Sequence, residues 1–247
     1  MNNYISLGCL VWVTVAQGAT LVVPPNLETV YGNSSAAVPF HMALGNSARY
    51  QQVYDASDLS PLGAAGGFIT QLAFRVDNFS GASFNNILPD IQINLSTTTR
   101  APDGLSAVFG ENVGLNDTVV FARGPLAIAS SGPGNPEAWQ VMIPLSTAFF
   151  YQPSAGNLLL DVRNFAGGMT SFLDGRELIG DTLSSVYAFT GDGSGSVDSL
   201  SGSRITFGFA NLIQFTPVPE PGTSWLLGVS LGALGFVLWK RKRSASN

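Results

Sequence analysis

Ile205-Thr206-Phe207-Gly208-Phe209-Ala210-Asn211-Leu212-Ile213-Gln214-Phe215 decides the fold class. Ile205, Phe207, Phe209, Ile213 and Phe215 share one parity and hold it across Asn211. Side chains on an extended backbone alternate between two faces, so this spacing sends all five toward one apolar layer, whereas a helix would scatter them around its axis. The expectation is one long strand laid against a core.

The same alternation recurs upstream. Ile91, Ile93 and Leu95 alternate with Gln92 and Asn94, and Trp139, Val141, Ile143 and Leu145 repeat the pattern. Residues 119–121, 158–162 and 186–189 add short apolar runs. Turn-forming clusters separate them: Pro102-Asp103-Gly104, Gly132-Pro133-Gly134, Asn135-Pro136 and Gly191-Asp192-Gly193. Many short strands between such turns predict an all-β ectodomain, an antiparallel β-sandwich of jelly-roll type over residues 20–215, with a barrel as the alternative. No internal repeat or linker divides it, and residues 191–202 read as a surface loop.

Beyond the strands, residues 216–221 form a proline-rich linker containing Val218-Pro219-Glu220-Pro221. An uncharged apolar run follows from Gly222 to Trp239, then Lys240, Arg241, Lys242 and Arg243 within a basic tail of residues 240–247. As a helix the eighteen-residue run would reach about 27 Å, just under the roughly 30 Å of a bilayer core. Trp225 and Trp239 stand near its ends, where indole rings favour the membrane interface. The four cations act as a membrane stop. They predict a single pass with the C-terminus in the cytoplasm and the N-terminus outside.

Those three parts in that order resemble the PEP-CTERM sorting signal of Gram-negative bacteria, and each is present without departure. The resemblance implies recognition of Val218, Pro219, Glu220 and Pro221 by an exosortase, a membrane-embedded enzyme of cysteine-transpeptidase type. It also implies an inner-membrane intermediate, followed by transfer to the cell surface or the extracellular matrix. Four further stretches, residues 49–57, 69–77, 88–96 and 158–164, resemble a recurring ectodomain of PEP-CTERM proteins. That family has no assigned reaction, so the likeness brings no catalytic residue with it.

The other terminus agrees with export. Residues 5–16 match the apolar region of a signal peptide, and Ala16-Gln17-Gly18-Ala19 offers small residues for cleavage, giving a leader over residues 1–19. Cys9, the only cysteine, falls within it. The mature chain would then have no disulfide, thiolate metal site or cysteine nucleophile, and its fold would rest on apolar burial.

Charge is unevenly placed. Seven arginines against sixteen acidic residues leave the exported part at −9, because the remaining cations all lie in the tail. Such a surface repels nucleic acid.

Candidate chemistry is sparse. His41 is the only histidine, so multi-histidine zinc sites are excluded and a Ser-His-Asp triad would have to run through it. Asp55 with Asp58, and Asp174 with Glu177, are the neighbouring carboxylates that glycoside hydrolysis would require, although such acids also close turns. Asp192 and Asp198 in the glycine-rich loop are candidate Ca2+ ligands, but Val197 and Ser203 occupy the positions where an EF-hand needs Gly and Glu. Trp139, Tyr50 and Tyr54 are candidate stacking platforms for a polysaccharide, although aromatics on strands are more often core. The expectation is a surface or matrix protein without catalytic activity. An exopolysaccharide-binding module of the biofilm matrix is the alternative, and an extracellular glycosidase ranks third.

Overall fold

The computed structural model describes residues 18–135, 138–190 and 202–217. They form thirteen strands: β1 (Ala19–Val23), β2 (Ser34–Ala36), β3 (Ser47–Tyr54), β4 (Gly67–Phe74), β5 (Phe84–Thr98), β6 (Thr118–Ser130), β7 (Val141–Tyr151), β8 (Asn157–Asn164), β9 (Leu173–Glu177), β10 (Leu183–Thr190), β11 (Ser203–Ile205), β12 (Phe207–Phe209) and β13 (Asn211–Pro217). Every pairing between them is antiparallel.

Two sheets face each other. One has the order β1-β13-β4-β7 and the other β11-β10-β3-β8-β5-β6. The succession β1-β13-β4-β7 over β3-β8-β5-β6 is that of a jelly roll, in which the chain passes back and forth between the layers and its last strand returns beside its first. β10 and β11 widen the second sheet, while β12, β9 and β2 make a three-stranded sheet of their own.

The core lies where the inward parities meet. Ile69, Leu72, Ile143, Phe149 and Ile213 from the first sheet pack with Tyr50, Ile91, Ile93, Leu158, Leu160 and Val162 from the second. On the outer side of the second sheet, Val53, Leu159 and Val186 form a smaller cluster with Leu105 and Phe109. β3 and β8 are therefore covered on both faces, which explains why 158–162 reads as a continuous apolar run rather than an alternation.

The expected long strand over 205–215 is corrected. Its residues divide among β11, β12 and β13, each in a different sheet. Phe207, Phe209, Ile213 and Phe215 are nonetheless buried in the one core, with Ile205 packed against it. Burial parity was right and continuity was wrong, because backbone groups along the stretch are drawn to different neighbours. Phe207 O accepts from Ser185 Oγ at 2.8 Å, and Ala210 N donates to Asp174 O at 3.1 Å. The ectodomain boundaries also move. β1 begins at Ala19 and β13 runs to Pro217, so the expected linker overlaps the last strand.

Candidate functional site

The described chain ends at Pro217, the last residue of β13, and the surroundings of that exit are set by strand register. β13 lies between β1 and β4, with Ala19 opposite Phe215, Phe68 opposite Thr216, and Gly67 opposite Pro217. On the far side of β4, Phe68 faces Phe150 and Gly67 faces Tyr151. The first and last described residues therefore lie at one end of one sheet. The apolar run of residues 5–16 stops three positions before Ala19, and that of 222–239 starts five positions after Pro217.

Two glycines allow the strands to close here. Gly66 has φ +77° and sits where a Cβ would lie 2.5 Å from Tyr151 O, so a larger residue would be strained and would clash. Gly67 lies so close to Thr216 O that a Cβ would approach it to 3.1 Å. The Tyr151 hydroxyl donates to Gly156 O at 2.8 Å, and burial pushes its phenol pKa upward. Gln152 Nε2 donates to Ala64 O at 2.8 Å, tying together the loops that flank the exit.

The side chains at this end are apolar and partly open to solvent. Phe68 and Phe150 are each 43% exposed and stack tilted, with ring centroids 5.3 Å apart. Met142 is exposed further along the same face. No strand of this sheet contains an Asp, Glu, Lys or Arg.

Charged side chains are placed elsewhere. Arg49 makes a two-point bond to Asp161, from Nε to Oδ1 at 3.0 Å and from Nη2 to Oδ2 at 2.6 Å. Gln51 Nε2 joins it, donating to Asp161 Oδ2 at 2.9 Å and to Phe109 O at 3.2 Å. This buried network fastens the loop after β5 to the second sheet. A second buried pair joins Arg75 and Asp174 at 2.6 Å, with the guanidinium between the rings of Tyr31 and Trp139 at 4.8 and 4.6 Å.

The sequence candidates are dispersed. Tyr50 and Tyr54 are each 1% exposed, so neither offers a ring face to a sugar, and that expectation is corrected. Both serve as internal donors instead. Tyr50 Oη donates to Gln52 Oε1 at 2.6 Å, and Tyr54 Oη donates to Asn211 Oδ1. Trp139 is half-buried and already packs a ring face on Arg75. Inward parity along β3 was the available signal, since Tyr50, Gln52 and Tyr54 share one face.

His41 is half-buried, 5.4 Å from the Phe172 ring. Asp174 is committed to Arg75 and to Gly32 N, while Glu177 accepts from Ser34 Oγ at 3.2 Å at the surface. Asp58 and Asp181 line a cleft of about 330 Å³ with Pro24, Pro25, Asn26, Arg176 and Thr182. Burial raises both carboxyl pKa values, and nearby carboxylates add to the effect: Asp55 and Asp181 for Asp58, Asp103 for Asp181. Arg176 Nε stands 3.2 Å from Asp181 Oδ2 as an ion pair without hydrogen-bond alignment.

Among the described residues no group of three or more His, Cys, Asp or Glu side chains is placed to hold a metal ion. Asp192 and Asp198 lie outside those residues. No helix among the described residues is long and apolar enough to cross a membrane. Residues 1–17 of the expected leader, the motif at 218–221, the run at 222–239 and the cations at 240–243 also lie outside them.

Comparison with known proteins identifies the exit. Residues 217–242 match the PEP-CTERM protein-sorting motif, beginning at the last residue of β13. No curated protein matches the chain. The chain thus carries the signal that marks an exosortase substrate, exported through the envelope of a Gram-negative bacterium toward its surface.

Proposed function

We propose that this protein is a non-catalytic component of the cell surface or extracellular matrix, with a jelly-roll ectodomain as its functional part. Residues 222–239 hold it in the inner membrane as a single-pass intermediate, with the ectodomain outside and Lys240 to Arg243 in the cytoplasm. Exosortase recognises Val218 to Pro221, and cleavage there transfers the ectodomain onward.

The observation that carries this reading is the abutment of fold and signal. The matched motif starts at Pro217, where β13 ends, so cleavage within 218–221 removes no residue of a described strand. The three cations that follow Trp239 within the matched segment, Lys240, Arg241 and Lys242, then remain with the discarded fragment.

Mass spectrometry of the mature C-terminus, in cells with and without the exosortase, tests the reading. A terminus within residues 217–222 only when the enzyme is present supports it, and an intact Asn247 in both strains overturns it. Glu220→Ala, with the apolar run unchanged, should leave the uncut form in the membrane. Normal sorting of that variant would show that recognition does not pass through the carboxylate.

A further inference from the structure

We propose that the end of the β1-β13-β4-β7 sheet bearing Phe68 and Phe150 rests on the outer surface of the bilayer while the apolar tail is still inserted. The inference depends on the membrane reading of residues 222–239 and adds to it an orientation and a contact surface.

Reach supplies the first argument. Five steps of extended chain from Pro217 to Gly222 cover at most about 18 Å, and nearer 15 Å in the polyproline conformation favoured by Pro219 and Pro221. The headgroup layer itself takes up about 5–7 Å on each side of the hydrocarbon. A domain on so short a tether cannot stand off from the membrane, and the part held nearest is the part beside Pro217.

Surface chemistry supplies the second. An exported part at −9 is repelled by anionic lipid over most of its surface. The sheet carrying Pro217 has no ionisable Asp, Glu, Lys or Arg on any strand, and the adjoining segments 59–66 and 152–156 have none either. Carboxylates approach this end from two sides: Asp55, which acts on the Tyr151 phenol, and Asp58 in the preceding part of the loop that leads from β3 into β4, and Glu220 in the tether, three residues past Pro217. Phe68 and Phe150 project as a pair from strands without ionisable side chains, whereas Phe79, Leu115 and Ile179 are exposed singly in loops. Aromatic side chains beside a tether gain by entering the interfacial layer, where apolar area leaves water without loss of any charged group's hydration.

Spin labelling of the full-length chain in phosphatidylcholine vesicles tests this. Cys9→Ala removes the only native thiol, and single cysteines then replace Phe150, Phe189 or Ser230. Phe189 lies at the opposite end of the sandwich, paired with Ala48 at the start of β3, and is the aqueous control. Collision with a water-soluble nickel reagent should fall several-fold at position 150 relative to 189, while collision with oxygen rises. Phe68→Ser in the Phe150→Cys chain should weaken that protection.

Equal aqueous access at 150 and 189, with 230 shielded in lipid, overturns the contact and leaves the membrane span standing. Aqueous access at 230 overturns both. Broadening between labels at 150, without any gain in oxygen collision, would assign the patch to a second copy of the chain and would also overturn the proposal.

Discussion

The side-chain amide of Gln52 pairs with the backbone of Phe209 as a neighbouring strand would. Its Nε2 donates to Phe209 O at 3.0 Å, and its Oε1 accepts from Phe209 N at 2.8 Å. The same Oε1 accepts from Tyr50 Oη at 2.6 Å. All three residues are buried, so none of these groups can turn to water instead. β12, the strand that leads into the exit strand β13, is thereby fixed to the middle of β3.

Gln52→Leu should therefore cost more than its loss of hydrogen bonds suggests. It strands a buried amide N–H, a buried carbonyl and a phenol at about 1–3 kcal/mol each, so a total loss of roughly 3 kcal/mol or more is expected. Urea unfolding would show a lowered midpoint at unchanged slope. Hydrogen exchange should accelerate first in 207–217. A uniform loss of protection across all strands would show that the amide does not act locally on the exit.

Asp58 should make stability fall as pH rises. Burial foremost lifts its carboxyl above 3.8 in the folded protein, helped by Asp55 and Asp181, so the native state holds that proton more tightly than the unfolded chain. Its contribution is complete below the unfolded value near 4 and is lost as pH climbs through the folded value. Asp181 acts in the same direction. Asp58→Asn, which stays neutral throughout, should be more stable than the parent at pH 7 and indistinguishable from it near pH 4. Urea midpoints across that range would check this, and a less stable Asn variant at pH 7 would mean that the ionised carboxylate is the bound form.

The Arg75–Asp174 pair should behave as a unit. Removing only the carboxylate, in Asp174→Ala, leaves a guanidinium that is 1% exposed without its counter-charge, an expected loss of about 3–5 kcal/mol. Adding Arg75→Met should return part of that loss, because the thioether leaves no buried charge between Tyr31 and Trp139. A double-mutant cycle reads the coupling directly. Additive losses would mean that the two side chains act independently despite their 2.6 Å contact.

These pairs explain how far the sequence could be read. Parity along 205–215 identified which side chains enter the core, since burial on an extended chain depends only on alternation. It did not reveal that Gln52, Ser185 and the Asp174 backbone would divide the stretch into three strands, because those partners come from distant parts of the chain. Tyr50 and Tyr54 looked like ligand contacts for the same reason. Their hydroxyl partners, Gln52 and Asn211, are ordinary amides until the fold places them. The sorting signal was fully legible because it is read as a linear segment. The uncharged face was legible only in pieces: each strand lacks ionisable residues on its own, and pairing alone makes them one surface.

The first strand should govern the last. Among the described residues β1 is an edge strand and its only strand partner is β13, through five register pairs from Ala19–Phe215 to Val23–Asn211. Val23 is fully buried and Val22 nearly so, so the contact contributes packing as well as backbone bonds. A chain starting at Pro24 would leave β13 as the sheet edge immediately before the sorting motif, at an expected cost of about 2–5 kcal/mol for the lost apolar burial. Exchange in 211–217 should then approach that of exposed loops, while 158–162 in β8 stays protected at the centre of the second sheet. With export supplied by a foreign leader, exosortase cleavage of this shortened chain should be at least as fast as that of the parent, since the strand before the motif is loosened. Slower cleavage would instead show that the enzyme requires β13 held in its sheet, presenting Pro217 and the following residues at a fixed distance from the membrane.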